Sequence, residues 1–412
     1  MNEGRDSALG LYVSIPFCRS KCTYCNFASG VYPAAEHARY ITRVIEDMAD
    51  ARAWAEGAGA QLPRRVDTVY LGGGTPSLLA PELVARLFGA ILAEFELDPE
   101  AEITVECAPG QLANATLDAL ATVGVNRVSL GGQSFIDSEA RASGRLHSRA
   151  AVLEDLRRLR AAGIANLNID LIAGLAGQTP ASWEESLTVL VDTGVPHASI
   201  YMLEVDEDSR LGRELLAGGG RYHAASVPTE DAIAQMYMRA IEKLADTGLA
   251  QYEISNFSRP DARSRHNLRY WERRPYLGLG LDASSMLREA PPASGAAGRG
   301  EPGYVLRTKT TDDLRAYLGG SQPVETAWLS PARQHEEAWF LGLRLNEGVE
   351  VKALEQEFGL DLVVPAMKVV GRLAETGLLS FDGARVRLTP RGRIISNDIF
   401  QEFLGLEAED RR

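Results

Sequence analysis

The sequence has no apolar run approaching the roughly 18 residues that a membrane-spanning helix needs. Its first ten residues carry Glu3, Arg5 and Asp6 in place of the apolar core of a signal peptide. Both absences lead to the expectation of a soluble, cytoplasmic protein with no transmembrane segment. Positive charge is also short: 43 Lys and Arg face 56 Asp and Glu, a formal net charge of -13. Such a balance repels phosphate backbones, so nucleic acid is not expected as the main partner. Cysteine is scarce, with four in 412 residues, three of them between Cys18 and Cys25 and the other at Cys107. That is a poor disulfide framework and a plausible metal or cluster site.

What is present is length and alternation. A chain of 412 residues exceeds one ordinary domain, and two or three folding units are expected. Short β-rich runs recur at Leu11–Ile15, Thr68–Leu71, Glu102–Glu106, Arg127–Leu130, Asn168–Ile172 and Ala198–Met202, each followed by an amphipathic stretch. That order predicts parallel βα units, and six of them suit a partial (β/α)6 barrel better than a closed eight-fold one. Asn114 reads as a helix N-cap with Gly124 as the stop, and Thr179-Pro180 opens another helix that Gly194 closes. The run Pro291-Pro292-Ala293-Ser294-Gly295 through Gly300 buries little and predicts a flexible linker over 291–303 between a barrel (1–290) and a tail (304–412). The tail has helical periodicity at Trp339 and Leu343 and at Val369 and Leu373, then the strand-like Val386-Arg387-Leu388. It predicts a winged-helix-like α+β unit. Such units often bind DNA, but the acidic balance favours a lid or docking role.

In such a barrel, chemistry is carried at the C-terminal ends of the strands. Cys18-Arg19-Ser20-Lys21-Cys22-Thr23-Tyr24-Cys25 follows the first strand as C-x3-C-x2-C. Three thiolates on one loop can hold three irons of a four-iron cluster and leave the fourth iron open, since full protein ligation takes four cysteines. Zinc remains the rival, although the second cysteine pair that zinc sites favour is missing. Gly72-Gly73-Gly74-Thr75-Pro76 follows the second strand, and consecutive glycines are tolerated where a ligand or another backbone must approach closely, or in a plain tight turn. Glu106, Gln133, Arg145 and Asp170 lie near later strand ends, where such groups are ligand contacts or structural ion pairs. Alternation along the strand turns Glu106 and Cys107 to opposite faces, which makes Cys107 a core residue.

These blocks together resemble the radical S-adenosylmethionine superfamily. Val105-Glu106-Cys107-Ala108-Pro109-Gly110, Gly132-Gln133-Ser134-Phe135, Gly144-Arg145-Leu146-His147 and Asn168-Ile169-Asp170-Leu171-Ile172 resemble in order the oxygen-independent coproporphyrinogen III oxidase-like family. The resemblance covers nearly the whole chain. It implies a [4Fe–4S] cluster on Cys18, Cys22 and Cys25, with Tyr24 flanking it. It also implies S-adenosylmethionine contacts at Tyr12, Gly73, Gly74, Thr75, Glu106, Gln133, Arg145 and Asp170. His266-Asn267-Leu268-Arg269-Tyr270 is similar to the haem motif of the family's haem-chaperone branch, which implies haem held through His266 and Tyr270 and delivered to acceptor proteins. Phe27 stands where the true oxidases add a further cysteine, and they carry more than the 17 residues that precede Cys18 here. The oxidase reading, decarboxylation of coproporphyrinogen III to protoporphyrinogen IX, is therefore the runner-up. The chain departs from the family at Gly132, where many members have valine, and at Ser284, where many chaperone-branch members have histidine, so a second axial ligand is unassigned.

Overall fold

The structure, a computed structural model, describes residues 7–291, 303–320 and 325–406. All six anticipated strands form: β1 (Leu9–Ile15), β2 (Arg65–Gly73), β3 (Glu96–Cys107), β4 (Arg127–Gln133), β5 (Asn166–Ala173) and β6 (His197–Met202). They are parallel neighbours in that order. Each has one apolar and one polar face. Leu11, Val13, Val69, Leu71, Val105, Val128, Leu130, Leu167 and Ile169 pack against the crossover helices. Tyr12, Tyr70, Thr104, Arg127, Ser129, Asn168 and Ser199 take the alternate positions and line the barrel interior. Burial on the apolar face drives the fold, and the polar face is left for chemistry.

The sheet extends past the six units at both sides. β6 pairs antiparallel with β7 (Asn256–Ser258), and β1 pairs parallel with β8 (Tyr276–Leu279). Antiparallel β9 (Ser284–Glu289), β10 (Val305–Lys309) and β11 (Glu325–Leu329) follow on that side. Among the described residues the two sides do not pair with each other, so the barrel is open. The stretch 291–303, read as a linker between domains, joins β9 to β10, adjacent strands of one sheet; its residues 292–302 lie outside the described residues. The sheet thus runs through the expected division.

The second unit has its own core. Helices Pro331–Gly342, Val351–Phe358 and Leu360–Glu375 pack with a small sheet of β12 (Val349–Glu350), β13 (Leu379–Phe381) and β14 (Arg385–Leu388), ordered β12-β14-β13. Trp339 is fully buried there and stacks on Phe403, with ring centroids 5.0 Å apart. This is the winged-helix-like α+β arrangement. It is tied to the barrel by Arg273, which pairs with Glu357 at 2.7 Å and lies over the Phe358 ring.

Local signals fared unevenly. Thr179 caps helix Pro180–Asp192 in a capping box with Ser182, and Gly194 follows at φ +65°. Asn114 is not a cap: it is the first residue of helix Asn114–Thr122, and its Oδ1 accepts from Arg158. Ala113, with extended backbone at φ -69° and ψ 148°, holds the cap position without a side-chain acceptor. Gly124, at φ +86°, does stop that helix.

Candidate functional site

The loop after β1 is held by backbone bonds on every side. Cys18 N–H donates to Gly30 O at 2.8 Å, Thr75 N–H to Phe17 O at 2.8 Å, Thr23 N–H to Ser143 O at 3.0 Å and Leu211 N–H to Thr23 O at 2.8 Å. Lys21 Nζ closes the loop on the carbonyls of Phe27 and Ser29. Each thiol has a polar neighbour: Thr75 Oγ1 at 3.8 Å from Cys18, Arg145 Nη1 at 3.4 Å from Cys22, and Ser29 Oγ at 4.0 Å from Cys25. Burial pushes the Cys18 and Cys25 thiols above their ordinary range; the charges of Cys25 and Cys22 raise Cys18 further, and that of Cys22 raises Cys25. Among the described residues no three His, Cys, Asp or Glu side chains converge as ligands of a single metal ion do. The three thiols lie on one loop near enough to act on one another's charge without converging on one point, and three thiolates so placed fit a cluster, whose iron corners are themselves separated.

Cys107 sits in the apolar core on the helix side of β3, where burial pushes its thiol up to about 12. It is remote in role and in environment from the loop thiols. Phe27 is 62 % exposed on the loop.

The glycine turn is knitted to both β1 and β3. A Cβ at Gly74 would come within 2.6 Å of Ile15 O and 2.9 Å of Phe17 N, so this glycine lets the turn lie against the cysteine loop. Gly73, at φ +93°, presents its N–H to Glu106 Oε2 at 3.1 Å. Tyr70 OH donates to Glu106 Oε1 at 2.9 Å. Burial, then the nearby Asp170 charge, pushes the Glu106 carboxyl up to about 7 despite those two donors. A cation arriving beside it would restore the carboxylate.

The remaining strand-end groups stand around the same cleft. Gln133 adopts φ +62°, a strained backbone for a residue with a side chain. Arg145 donates to Gly131 O as well as to the Cys22 sulfur. Tyr24 belongs to that group electrostatically: burial raises its phenol and the Arg145 charge opposes the rise. Asp170 accepts from Ser129 Oγ at 3.1 Å and Asn168 Nδ2 at 2.7 Å, and burial holds its carboxyl above the usual range. Tyr12 is stacked on Tyr70 at 6.1 Å. Sequence reading passed over His147, whose Nε2 lies 2.9 Å from Gly132 O, and whose ring burial holds down to about 4. It follows Arg145 by two residues, and that spacing was its available signal.

His266 lies lower in the barrel, its ring 5.2 Å from that of Tyr70 and 6.5 Å from that of Tyr12. It is on helix Arg265–Trp271, 1 % exposed, with Nδ1 3.0 Å from Thr68 Oγ1 and Nε2 2.8 Å from Tyr270 OH. His266 and Tyr270 do share a face, as their spacing predicts. Burial, followed by the Arg269 and Arg127 charges, depresses the imidazole to about 3, so it is neutral at any physiological pH. Both ring nitrogens are engaged. The arginine inside the motif is structural: Arg269 is fully buried, pairs with Asp67 and donates to Ala8 O and Pro275 O. Gly10 makes room for it, since a Cβ there would fall 2.4 Å from Arg269 Cδ.

Comparison with known proteins agrees with this architecture. The family model of the radical SAM superfamily matches residues 12–190, and that of the HemN C-terminal domain matches 329–395. Coproporphyrinogen III oxidase (HemN) from Escherichia coli, described as a radical SAM enzyme, superposes with a TM-score of 0.80 over 98 % of this chain and 91 % of that one. At 22 % identity that likeness concerns the fold. The barrel is thus of the radical SAM type. Heme chaperone HemW from Lactococcus lactis is 32 % identical over 95 % of this chain and 96 % of its own length. The same-named protein of Mycobacterium tuberculosis is 32 % identical over 96 % and 95 %. A mitochondrial radical S-adenosyl methionine domain-containing protein 1 from mouse is 31 % identical over 98 % and 88 %. This chain belongs to the HemW family of haem chaperones within the oxygen-independent coproporphyrinogen III oxidase-like radical SAM proteins.

Proposed function

We propose that this protein is a cytoplasmic haem chaperone that holds a [4Fe–4S] cluster and S-adenosylmethionine at the mouth of its barrel, binds haem, and passes it to acceptor proteins. The observation that carries the cluster and cofactor assignment is the single cleft in which the Cys18–Cys25 loop, the Gly73–Thr75 turn and the Glu106 carboxylate are bonded to one another. When bound, the cluster offers its open iron to the amino and carboxylate groups of S-adenosylmethionine and an electron for its cleavage.

The residues of the chain divide the work. Cys18, Cys22 and Cys25 are the metal ligands, and Tyr24 covers one side of them. Gly73 and Gly74 bring backbone close, and Thr75 adds a hydroxyl at the Cys18 sulfur. Glu106 meets a positively charged group, for which its carboxyl, raised to about 7, is ready to ionise. Asp170, fixed by Ser129 and Asn168, suits the hydroxyls of a ribose. Gln133, at the end of β4, and Arg145, in the loop after helix Asp137–Ala142, supply donors, and Tyr12 an aromatic wall. Phe27 in place of a further cysteine supports carriage of haem over porphyrinogen oxidation.

For haem the arrangement is less open. His266 offers no free nitrogen while Tyr270 OH occupies Nε2. Haem ligation by His266 therefore requires that hydroxyl to be displaced, and Tyr270 acts as the competitor for the site. Removing the competitor with Tyr270→Phe should tighten haem binding by about two- to tenfold, the net value of one neutral hydrogen bond. His266→Ala should change the haem spectrum and weaken binding by about tenfold or more, with cluster iron unchanged. The measurement is a haem titration of wild type and both variants, with iron–sulfur content and circular dichroism recorded for each. Identical affinity and spectrum in all three would remove His266 as ligand.

A further inference from the structure

A second polar site lies inside the barrel, nearer the N-terminal ends of the strands than Glu106 and Asp170. Tyr12, Tyr70, Thr104, Arg127 and Asn166 stand side by side in register across β1 to β5. Three buried atoms of that row, Thr104 Oγ1, Arg127 Nε and Asn166 Oδ1, have no hydrogen-bond partner among the described residues. Arg127 is 2 % exposed and Thr104 is fully buried.

Arg127 is the exception among the buried arginines. Among the described residues the other fully buried arginine, Arg269, is satisfied by Asp67 and backbone carbonyls; half-buried Arg307 also has an unpartnered Nε, but its guanidinium still pairs with Glu337 and Tyr276. The Arg127 guanidinium has no hydrogen bond or ion pair to a described residue, and its buried Nε is without a partner. The groups that feel its charge are Asp170, Tyr70, Tyr252, His197 and His266, which face it from the other walls of the barrel. Two carboxylates in the neighbouring rows of the barrel interior are engaged by other donors. Asp170 accepts from Ser129 and Asn168, and Glu102 accepts the N–H groups of Arg265 at 3.0 Å and His266 at 2.9 Å. A buried guanidinium without a directly bonded anion is costly, and so is an unpaired hydroxyl beside it.

We propose that Arg127, Thr104 and Asn166 form a binding site for a small carboxylate inside the barrel, separate from the cluster cleft. The planar fork of the guanidinium matches a carboxylate with two parallel bonds, and the Thr104 hydroxyl supplies a neutral donor in the same row; the unpartnered atom of Asn166 is the acceptor Oδ1, so Asn166 donates to the anion only with its amide turned over. Asn166 begins its strand and is half-buried, which places this row nearer the N-terminal end of the barrel than the mouth where the cysteines lie. It does not depend on the haem or cofactor assignments above.

The probe is sodium formate, titrated at constant ionic strength into the anaerobically reconstituted protein and read by calorimetry, together with crystals of the same protein soaked in bromide. Wild type should bind formate saturably and show an anomalous bromide peak against Arg127. Arg127→Gln should weaken formate by about tenfold or more, as loss of a hydrogen bond to a charged group does, and Arg127→Lys should retain part of the affinity. Thr104→Val should cost a few-fold. If Arg127→Gln does not fold, Thr104→Val and the wild-type bromide peak decide. No saturable formate binding by wild type, with water alone bridging Arg127 to Asp170 in the crystal, overturns the proposal.

Discussion

Replacing Cys18, Cys22 or Cys25 with alanine is expected to reduce iron from about four per chain to near zero, with loss of the brown absorbance, whereas Cys107→Ala should keep the full complement. The difference follows from placement. The loop thiols lie near enough to act on one another's charge, each with a polar hydrogen-bonding neighbour, while Cys107 is packed among Val105 and its companions in the apolar core. Cys107→Ala removes only a small buried group and should cost on the order of 1 kcal/mol in stability. Iron analysis and the visible spectrum after anaerobic reconstitution read this directly. A full cluster in Cys22→Ala, or its loss in a folded Cys107→Ala, would contradict the assignment.

Glu106→Gln should abolish saturable S-adenosylmethionine binding in the range accessible to calorimetry, because it removes the charge that meets the cofactor's cationic end. Its effect on the cofactor-free protein has the opposite sign. A carboxyl raised from 4.5 to about 7 in the folded state contributes stability that is fully present below pH 4.5 and lost as pH rises through 7. At pH 8 the cost of the ionised carboxylate is on the order of 3–4 kcal/mol, at about 1.4 kcal/mol per pKa unit. Glutamine has no such cost. The variant should thus be more stable than wild type at pH 8, and the advantage should shrink at pH 5.5. Thermal unfolding at the two values checks it; a variant equally destabilised at both would mean that Glu106 is held as a carboxylate by Tyr70 and Gly73.

The parallel strands were legible because their two faces differ so sharply. In β3, Ile103, Val105 and Cys107 turn to the helices while Glu102, Thr104 and Glu106 turn inward, and this alternation also separated Glu106 from Cys107 before any coordinates. The C-x3-C-x2-C loop was legible as well, since its spacing is local. What sequence could not give was distance between segments. The Gly-rich run at 291–300 looks like a linker by composition, yet the pairing of β9 with β10 depends on a partner strand, which composition does not report. Asn114 looked like a cap because its type suits one, and a bond to Arg158, 44 residues away, claimed it instead. His266 was visible as a motif. Its burial between Thr68 and Tyr270 was not, because Thr68 is 198 residues earlier in the chain. Arg127 carried no signal as an isolated arginine at the start of a strand; only the register with Thr104 and Asn166 exposes its lack of a partner.

Central to the proposed function is carriage of haem in place of oxidation of a porphyrinogen. The most direct measurement is made on one anaerobic sample of reconstituted protein supplied with S-adenosylmethionine and reductant, divided between a haem titration and incubation with coproporphyrinogen III. The account predicts saturable binding near one haem per chain and no vinyl-bearing porphyrin product beyond a single turnover. Multiple turnovers to protoporphyrinogen IX, with no saturable haem binding, would contradict it.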